Sequence, residues 1–436
     1  MTTTHTGTPE GQVLVVGAGP TGLTLAAQLL ARGIHVRVID KGAGPASQSR
    51  ALSIQARTLE LLDTMGLADA FVGHGHRVRR LHWYASQRNL CDLDLARNGS
   101  RYGFVLDLPQ SRTETLLRAR VQELGGTIEQ GVELARLAER GGAVDATLRD
   151  AAGRESEVSA GYVVGCDGAH SRVRHEIGLP FEGQPYPQDW LLADVALDGA
   201  GSDGAVHAFF RPNGLPLVCI PMGGQRWRLV MANAGDRGGQ PPTFAEIQEQ
   251  VAERAPWPIE VSDPQWLASF RCHLRSTSSY RRGRVLLAGD AAHIHSPAGG
   301  QGMNTGMMDA HNLAWKLALV ADGRAPRHLW PGAHPCRVRR ARVHQQARRT
   351  VDHAELGQAG RAGHRRSRRE PHADGPARCG PPRCPSSRSP TRGARWSSPT
   401  ATAAGRSPEI GSPTSTSVAS TDRRGCITCS ATDATC

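Results

Sequence analysis

The sequence predicts an α/β protein with an antiparallel-sheet insert and an unstructured C-terminal tail. Three observations carry this. An apolar run, a glycine turn and an amphipathic helix follow one another over residues 13–33. Short apolar runs separated by Gly/Pro turns fill residues 181–280. Beyond Trp330 the apolar residues nearly vanish. A chain of 436 residues has room for two or more domains and a sizeable core.

The elements follow in order. VLVV at 13–16 leads directly into Gly17, Gly19 and Gly22 of a G-x-G-x-x-G turn. Leu23, Ala26, Ala27 and Leu30 then recur at helical spacing, and Gly33 closes that helix. The next run, HVRVID, ends at Asp40 and completes a βαβ unit. Residues 56–66 predict a helix stopped by Gly66. Residues 111–124 predict another, with Ser111 as N-cap and Glu114 completing a capping box. Residues 143–149 and 156–165 predict a hairpin leading into Asp167-Gly168. From 181 to 280 the runs WLLADVAL, AVHAFF, LPLVCI and WRLVMAN have the texture of antiparallel sheet, interrupted by the helix FAEIQEQVAERA. The α/β style then returns with the strand VLLA, the acidic turn Gly289-Asp290, a glycine-rich loop and a long helix at about 303–321.

Charge and composition exclude several classes. The net charge is +12, yet residues 1–330 hold 33 basic and 33 acidic side chains. Residues 331–436 hold 19 arginines, no lysine and seven acids, so the whole excess lies in the tail and no nucleic-acid-binding body is expected. Those 106 residues contain one Leu, two Ile, four Val and one Trp, too little apolar surface to offset ordering entropy, so the tail is expected to be disordered. Its abrupt exchange of Leu for Arg is the composition of a GC-rich gene translated in a shifted frame; resequencing codons 325–345 tests this. Cys426 and Cys429 form a single CxxC, short of the four ligands of a structural zinc site, and no metal is expected. Cys91, Cys166, Cys219 and Cys272 have no paired spacing and are expected to be reduced thiols of a cytoplasmic protein. The N-terminus MTTTHTGTPEGQ is not a secretory signal, and no apolar run is long enough to span a bilayer. Nothing in the sequence specifies an oligomeric state.

The glycine motifs carry the chemistry. In a strand–turn–helix, Gly17 permits the tight turn, Gly19 lets a pyrophosphate approach the backbone, and Gly22 lets helix and strand pack closely. Asp40, 18 residues after Gly22, is placed to accept from a ribose hydroxyl pair. In the second motif, Asp290 at a strand end can accept from a polyol. Pro297, Gly299, Gly300 and Gly302 then bare the backbone N–H groups before a helix whose positive end suits an anionic ring system. Together they indicate a flavin dinucleotide.

On these residues the sequence resembles the FAD-dependent class A aromatic monooxygenases of the phenol hydroxylase and polyketide-tailoring type. GDAAH, then P-x-G-G-Q-G-M-N-T-G and D-A-x-N-L-A-W-K-L-A, match that family's flavin loop over Gly289, Asp290, Pro297, Gly300, Gly302, Met303 and Asn304. Asp167-Gly168 in YVVGCDGAHSRVR matches its third motif, near the FAD pyrophosphate and the route of the nicotinamide donor. The resemblance places Arg50 and Lys41 on the cofactor side, Gln110 near the ribityl chain, and Val132 as a backbone contact to adenine. It implies a Rossmann-like FAD-binding domain of the glutathione-reductase type at 11–75, 100–180 and 281–330. A substrate-binding domain would occupy 76–99 and 181–280. Met308 stands where the family pattern has Gln, and of the family's helical continuation only faint traces are expected, in RVRRARVHQQARRTV.

The resemblance implies NADPH or NADH as electron donor, O2 as co-substrate, a flavin C4a-hydroperoxide, and an electron-rich aromatic small molecule as the substrate hydroxylated. No general base stands out; His207, His273 and Arg211 are the options, while His293 and His295 read equally as turn packing. A flavin halogenase would need WxWxIP and a pocket lysine, and the only lysines are Lys41 and Lys316. The sequence also leaves open a flavin dehydrogenase, a basic-tailed binding protein, and an inactive truncated relative.

Overall fold

The computed structural model describes residues 12–45, 51–201, 204–210, 216–233, 236–295 and 298–321. Arg50, Arg211, Pro297 and the whole tail, with its CxxC, lie outside the described residues. Seven α-helices occur among those described: α1 (Pro20–Leu30), α2 (Ala56–Thr64), α3 (Ala68–His74), α4 (Gln110–Glu123), α5 (Arg172–Glu176), α6 (Phe244–Arg254) and α7 (Gly302–Ala321).

The chain is a mixed α/β protein built on a six-stranded sheet. Its order is Arg281–Arg282, Val285–Leu287, Tyr162–Gly165, Gln12–Val16, His35–Asp40 and Ile128–Gln130, parallel except at the first edge. Alternation along Gln12–Val16 explains the layers. Val13 and Val15 pack with α1, α2, α4 and α7 on one face, whereas Leu14 and Val16 pack on the other against α5 and the antiparallel strands Val132–Arg140, Ala143–Asp150 and Glu155–Ala160.

A second, eight-stranded sheet combines Glu182–Asp198, Val206–Phe210, Leu217–Gly223, Arg226–Asn233 and Glu260–Ser276 with Arg80–Ala85, Arg88–Asp94 and His293–Ile294. It is antiparallel except where Val206–Phe210 lies parallel to Arg80–Ala85. One face is closed by α6, through Ile247 and Val251 on Leu191, Ala193, Leu217, Cys219 and Leu229. A small sheet of Ser53–Ile54, Val105–Asp107 and His76–Val78 lies where the two assemblies meet, its last two strands abutting Leu217–Gly223. Cys91, Cys166, Cys219 and Cys272 are free thiols. No described helix is long and apolar enough to cross a membrane.

Three local expectations need correction. α4 begins at Gln110 with Pro109 as N-cap, so Ser111 is inside the helix, and Glu114 accepts from Gln110 Nε2 at 2.9 Å instead of closing a capping box. A true capping box is found at Thr243 and Glu246 of α6. The 156–165 run is two strands: Gly161 turns the chain, and Tyr162–Gly165 leaves the hairpin for the large parallel sheet.

Candidate active site

The three glycines of the first turn are required for three different reasons. Gly17 has φ +107°, and a methyl there would strike the Cys166 carbonyl. A methyl on Gly22 would strike the carbonyl of Gly17. A methyl placed on Gly19 would have nothing within 4 Å, so its space is open toward a ligand. Asp40 braces this turn: its oxygens accept from Ala18 N at 2.5 Å and Gly42 N at 2.7 Å, leaving lone pairs for a ribose. Val16, Gly17, Asp40, Lys41, Val132 and Asp167 line one open cavity of about 300 Å³. Five of these six are residues singled out from sequence alone.

Two buried arginines, both missed from sequence, hold the motifs in place. Arg118 of α4 donates to the Ala18 carbonyl at 3.3 Å. With the Gln130 amide turned to suit its neighbours, Gln130 accepts from Arg118 Nη1 at 2.6 Å and donates to the Ala43 carbonyl. Arg174 of α5 donates to the carbonyls of Ala169 and Ala291, both at 2.8 Å, and stacks at 3.9 Å on Phe181. It thereby ties the Asp167-Gly168 turn to the Gly289-Asp290 turn. Asp167 itself caps α5, accepting from Arg172 N at 2.7 Å and Val173 N at 3.1 Å, while its other oxygen is buried without a partner.

The second glycine motif packs onto the first through Thr21. Methyls on Gly289 and Gly306 would both collide with the Thr21 side chain, so the N-termini of α1 and α7 meet there. Gly302 resembles Gly19 in that a methyl added to it would meet nothing within 4 Å. Asn304 is 2% exposed, and its amide makes three hydrogen bonds to protein. It donates to the carbonyls of Ser53 and Gly300 at 2.8 Å each and accepts from Gln55 N at 2.8 Å. Met303 packs against the core, and Asp290 is exposed. Asp309 accepts from Gly289 N at 3.1 Å and pairs with His293 at 2.5 Å, which gives His293 a structural place in the turn. Gln110 opens α4, its N–H donating to the Ala51 carbonyl at 3.2 Å and its Nε2 to Glu114 at 2.9 Å.

On the eight-stranded sheet, the face away from α6 carries Leu192, Asp194, Ala208, Phe210, Val218, Ile220, Arg228 and Val230. Most of these are only partly buried, unlike their neighbours under α6. Arg228 is fixed there by Asp194, Nε to Oδ1 at 2.7 Å and Nη2 to Oδ2 at 2.8 Å, and stacks on Trp266. His207 is on the other face: it is 4% exposed, stacked 5.3 Å from His82 and edge-on to Trp257. Burial and the charges of Arg275, Arg271 and His170 hold His273 below its ordinary pKa.

Sequence reasoning also passes over Asp107, which is 1% exposed on the small central sheet. It accepts from Ser53 Oγ at 2.5 Å, and Oδ2 has no partner. Burial pushes its carboxyl up to about 7, despite the Ser53 hydrogen bond and the charge of Arg228, which both lower it. A lone acid within the apolar run FVLDL was the available signal.

Two glycine-bared helix ends meeting at one corner define a dinucleotide-binding protein, and sequence comparison agrees: the chain belongs to the FAD binding domain family, which it matches over residues 10–349. It is 45% identical over 322 residues to the 6-methylpretetramide 4-monooxygenase of Streptomyces rimosus, covering 73% of this chain and 57% of that enzyme. The chain thus spans less than two thirds of that relative's length. Among solved structures, the p-nitrophenol 4-monooxygenase PnpA of Pseudomonas putida DLL-E4 superposes with TM-score 0.64 at 27% identity, covering 73% of this chain and 82% of that one. The anhydrotetracycline hydroxylase OxyS of Streptomyces rimosus superposes with TM-score 0.61 at 35% identity, covering 74% of this chain and 64% of that one.

Proposed function

We propose that the protein is an FAD-dependent monooxygenase that hydroxylates an aromatic, phenol-bearing small molecule of polyketide type with NAD(P)H and O2. The observation that carries this is the meeting of α1 and α7 at Thr21, with Gly19 and Gly302 both open beside it. The relatives support the reaction class, since those compared are monooxygenases or hydroxylases of aromatic compounds.

In this reading the six-stranded sheet and its helices form the Rossmann-like FAD-binding domain (11–75, 100–180 and 281–330). The eight-stranded sheet roofs the substrate site (76–99 and 181–280). Asp40, Lys41 and Val132 hold the adenosine end in their shared cavity. The N–H groups of the Gly17–Gly22 turn and the N-terminus of α1 take the pyrophosphate. The backbone from Gly300 to Asn304 and the N-terminus of α7 hold the isoalloxazine end. FAD supplies the oxygen activation that no side chain can provide. The protein's part is to exclude water with the partly buried apolar row from Phe210 to Val230, and to orient the ring. Arg228, fixed by Asp194, is a cation of that face placed to hold a phenolic oxygen.

The test is substrate-dependent NADPH oxidation by the FAD-reconstituted protein under 18O2, using a panel of polycyclic phenols. Label in the product supports hydroxylation. A protein that takes up no FAD, or NADPH oxidation that yields only hydrogen peroxide with every phenol, removes the proposal.

A further inference from the structure

We propose that Asp107 is a positioning residue that takes up a proton from solvent when negative charge is placed at the N-terminus of α7. The inference rests on the reading above, that this helix end receives the isoalloxazine of FAD. Ser53, Asp107 and His76 are directly opposed on the three antiparallel strands of the small sheet, so their side chains share one face. Ser53 connects that row to the helix. Its Oγ donates to Asp107 at 2.5 Å, its carbonyl accepts from Asn304 in the first turn of α7, and a methyl on Gly300 would lie 3.2 Å from its Cβ. Asp107 therefore stands one serine away from a helix end whose first N–H groups lack intrahelical partners.

The carboxyl is poorly supplied with partners for a buried group. Oδ2 has none. The groups that face it are few. The eight-stranded sheet brings the Arg228 cation, itself bound to Asp194. The neighbouring strand brings His76, whose Nε2 would lie 3.3 Å from a methyl on Gly204. The Ser53 strand brings a hydroxyl, and α7 brings the neutral amide of Asn304. An anion at the α7 terminus would repel a carboxylate here through a low-dielectric interior. Since burial already pushes the carboxyl up to about 7, a modest repulsion protonates it near neutral pH.

The balance is simple. With dithionite as reductant, the oxidised isoalloxazine takes two electrons and one proton to become the reduced anion. The Asp107 carboxylate takes a second proton and becomes the neutral acid. The holoprotein should therefore take up, per two electrons, up to one proton more than the flavin alone accounts for, according to the fraction of Asp107 ionised beforehand.

The experiment is a dithionite titration of FAD-loaded protein against a reference dye at several pH values just above neutrality. Wild type is expected to take up more protons per flavin than Asp107→Asn, by up to one and by more as pH rises above about 7; the variant keeps an oxygen for Ser53 but cannot titrate. Ser53→Ala, which retains the acid but removes a hydrogen bond that lowers it, should move the extra uptake to higher pH without abolishing it. A purely structural Asp107 would give the same count in wild type and Asp107→Asn, and that result overturns the inference. Should Asp107→Asn not fold, the wild-type protein still decides. Its reduced-minus-oxidised infrared difference spectrum, with 13C-labelled aspartate, must gain a protonated-carboxyl band, and absence of the band overturns the inference. Wild type that binds no FAD removes the cofactor reading and this inference together. FAD binding without the band or the extra proton removes this inference alone.

Discussion

Replacing Asp107 by Asn should change how stability depends on pH, in a direction that burial dictates. The folded carboxyl is pushed from 3.8 up to about 7. Between those values the native protein holds a proton that the unfolded chain has released. Unfolding then releases a proton, so native stability falls as pH rises through this window and levels off above about 7. At about 1.4 kcal/mol per pH unit, the full excursion is roughly 4 kcal/mol. The Asn variant has no such dependence at this site. It carries instead a fixed penalty of roughly 1–3 kcal/mol for an amide nitrogen placed where Oδ2 lacks a partner. The variant should thus be less stable than wild type near pH 4–5 and equal or more stable near pH 8, in the apoprotein. Urea unfolding of both proteins across that range, fitted at constant slope, measures the difference. Parallel stability–pH curves would refute the assignment of a raised carboxyl to Asp107.

Other substitutions separate ligand contacts from packing. Gly19→Ala should leave apoprotein stability within roughly 1 kcal/mol, because its space is open, yet weaken FAD binding on the order of tenfold or more, read by fluorescence titration. Gly22→Ala, which drives a methyl into the Gly17 carbonyl, should destabilise the apoprotein itself by ~2 kcal/mol or more, read by thermal unfolding. Asn304→Ala strands the Ser53 carbonyl and Gln55 N–H, and should cost about 2–4 kcal/mol along with FAD affinity. His207→Gln should leave the pH profile of turnover unchanged, since the ring lies on the α6 side of its sheet; a lost acidic limb would return His207 to the active site.

What could be read from sequence was local. Gly17, Gly19 and Gly22 are legible because strand, turn and helix fit within about twenty residues, where the spacing itself fixes the geometry. The face of α7 is legible for the same reason: Met303, Met307, Ala310, Ala314 and Leu317 recur at helical spacing, and all are buried but Met303, which is partly buried at the helix start. The ties that fix one motif against another were not legible. Arg118 reaches a carbonyl 100 residues earlier, Arg174 one 117 residues later, and Asn304 one 251 residues earlier. A sequence shows that an arginine exists, not which distant carbonyl it meets. Val132–Arg140 went unread because VELARLAER favours helix by composition, and pairing with Ala143–Asp150 overrides that preference. Ser111 misled because the fixed φ of Pro109 starts the helix two residues early.

The small central sheet draws these threads together. It has only three short strands, and each holds a different part of the molecule. Ser53 holds the α7 loop through Asn304, His76 lies against the Gly204 and Gly223 turns of the eight-stranded sheet, and Asp107 sits between them under the field of Arg228. A charge change at Asp107 is therefore felt by the proposed flavin end and the proposed substrate face at once. Coupling of this kind needs no long pathway, because both sides touch the same row of three side chains. A double-mutant cycle between Asp107→Asn and Arg228→Gln, read as FAD affinity, should give a coupling energy above ~0.5 kcal/mol. Additive effects would mean that the small sheet only joins the two assemblies and carries no charge between them.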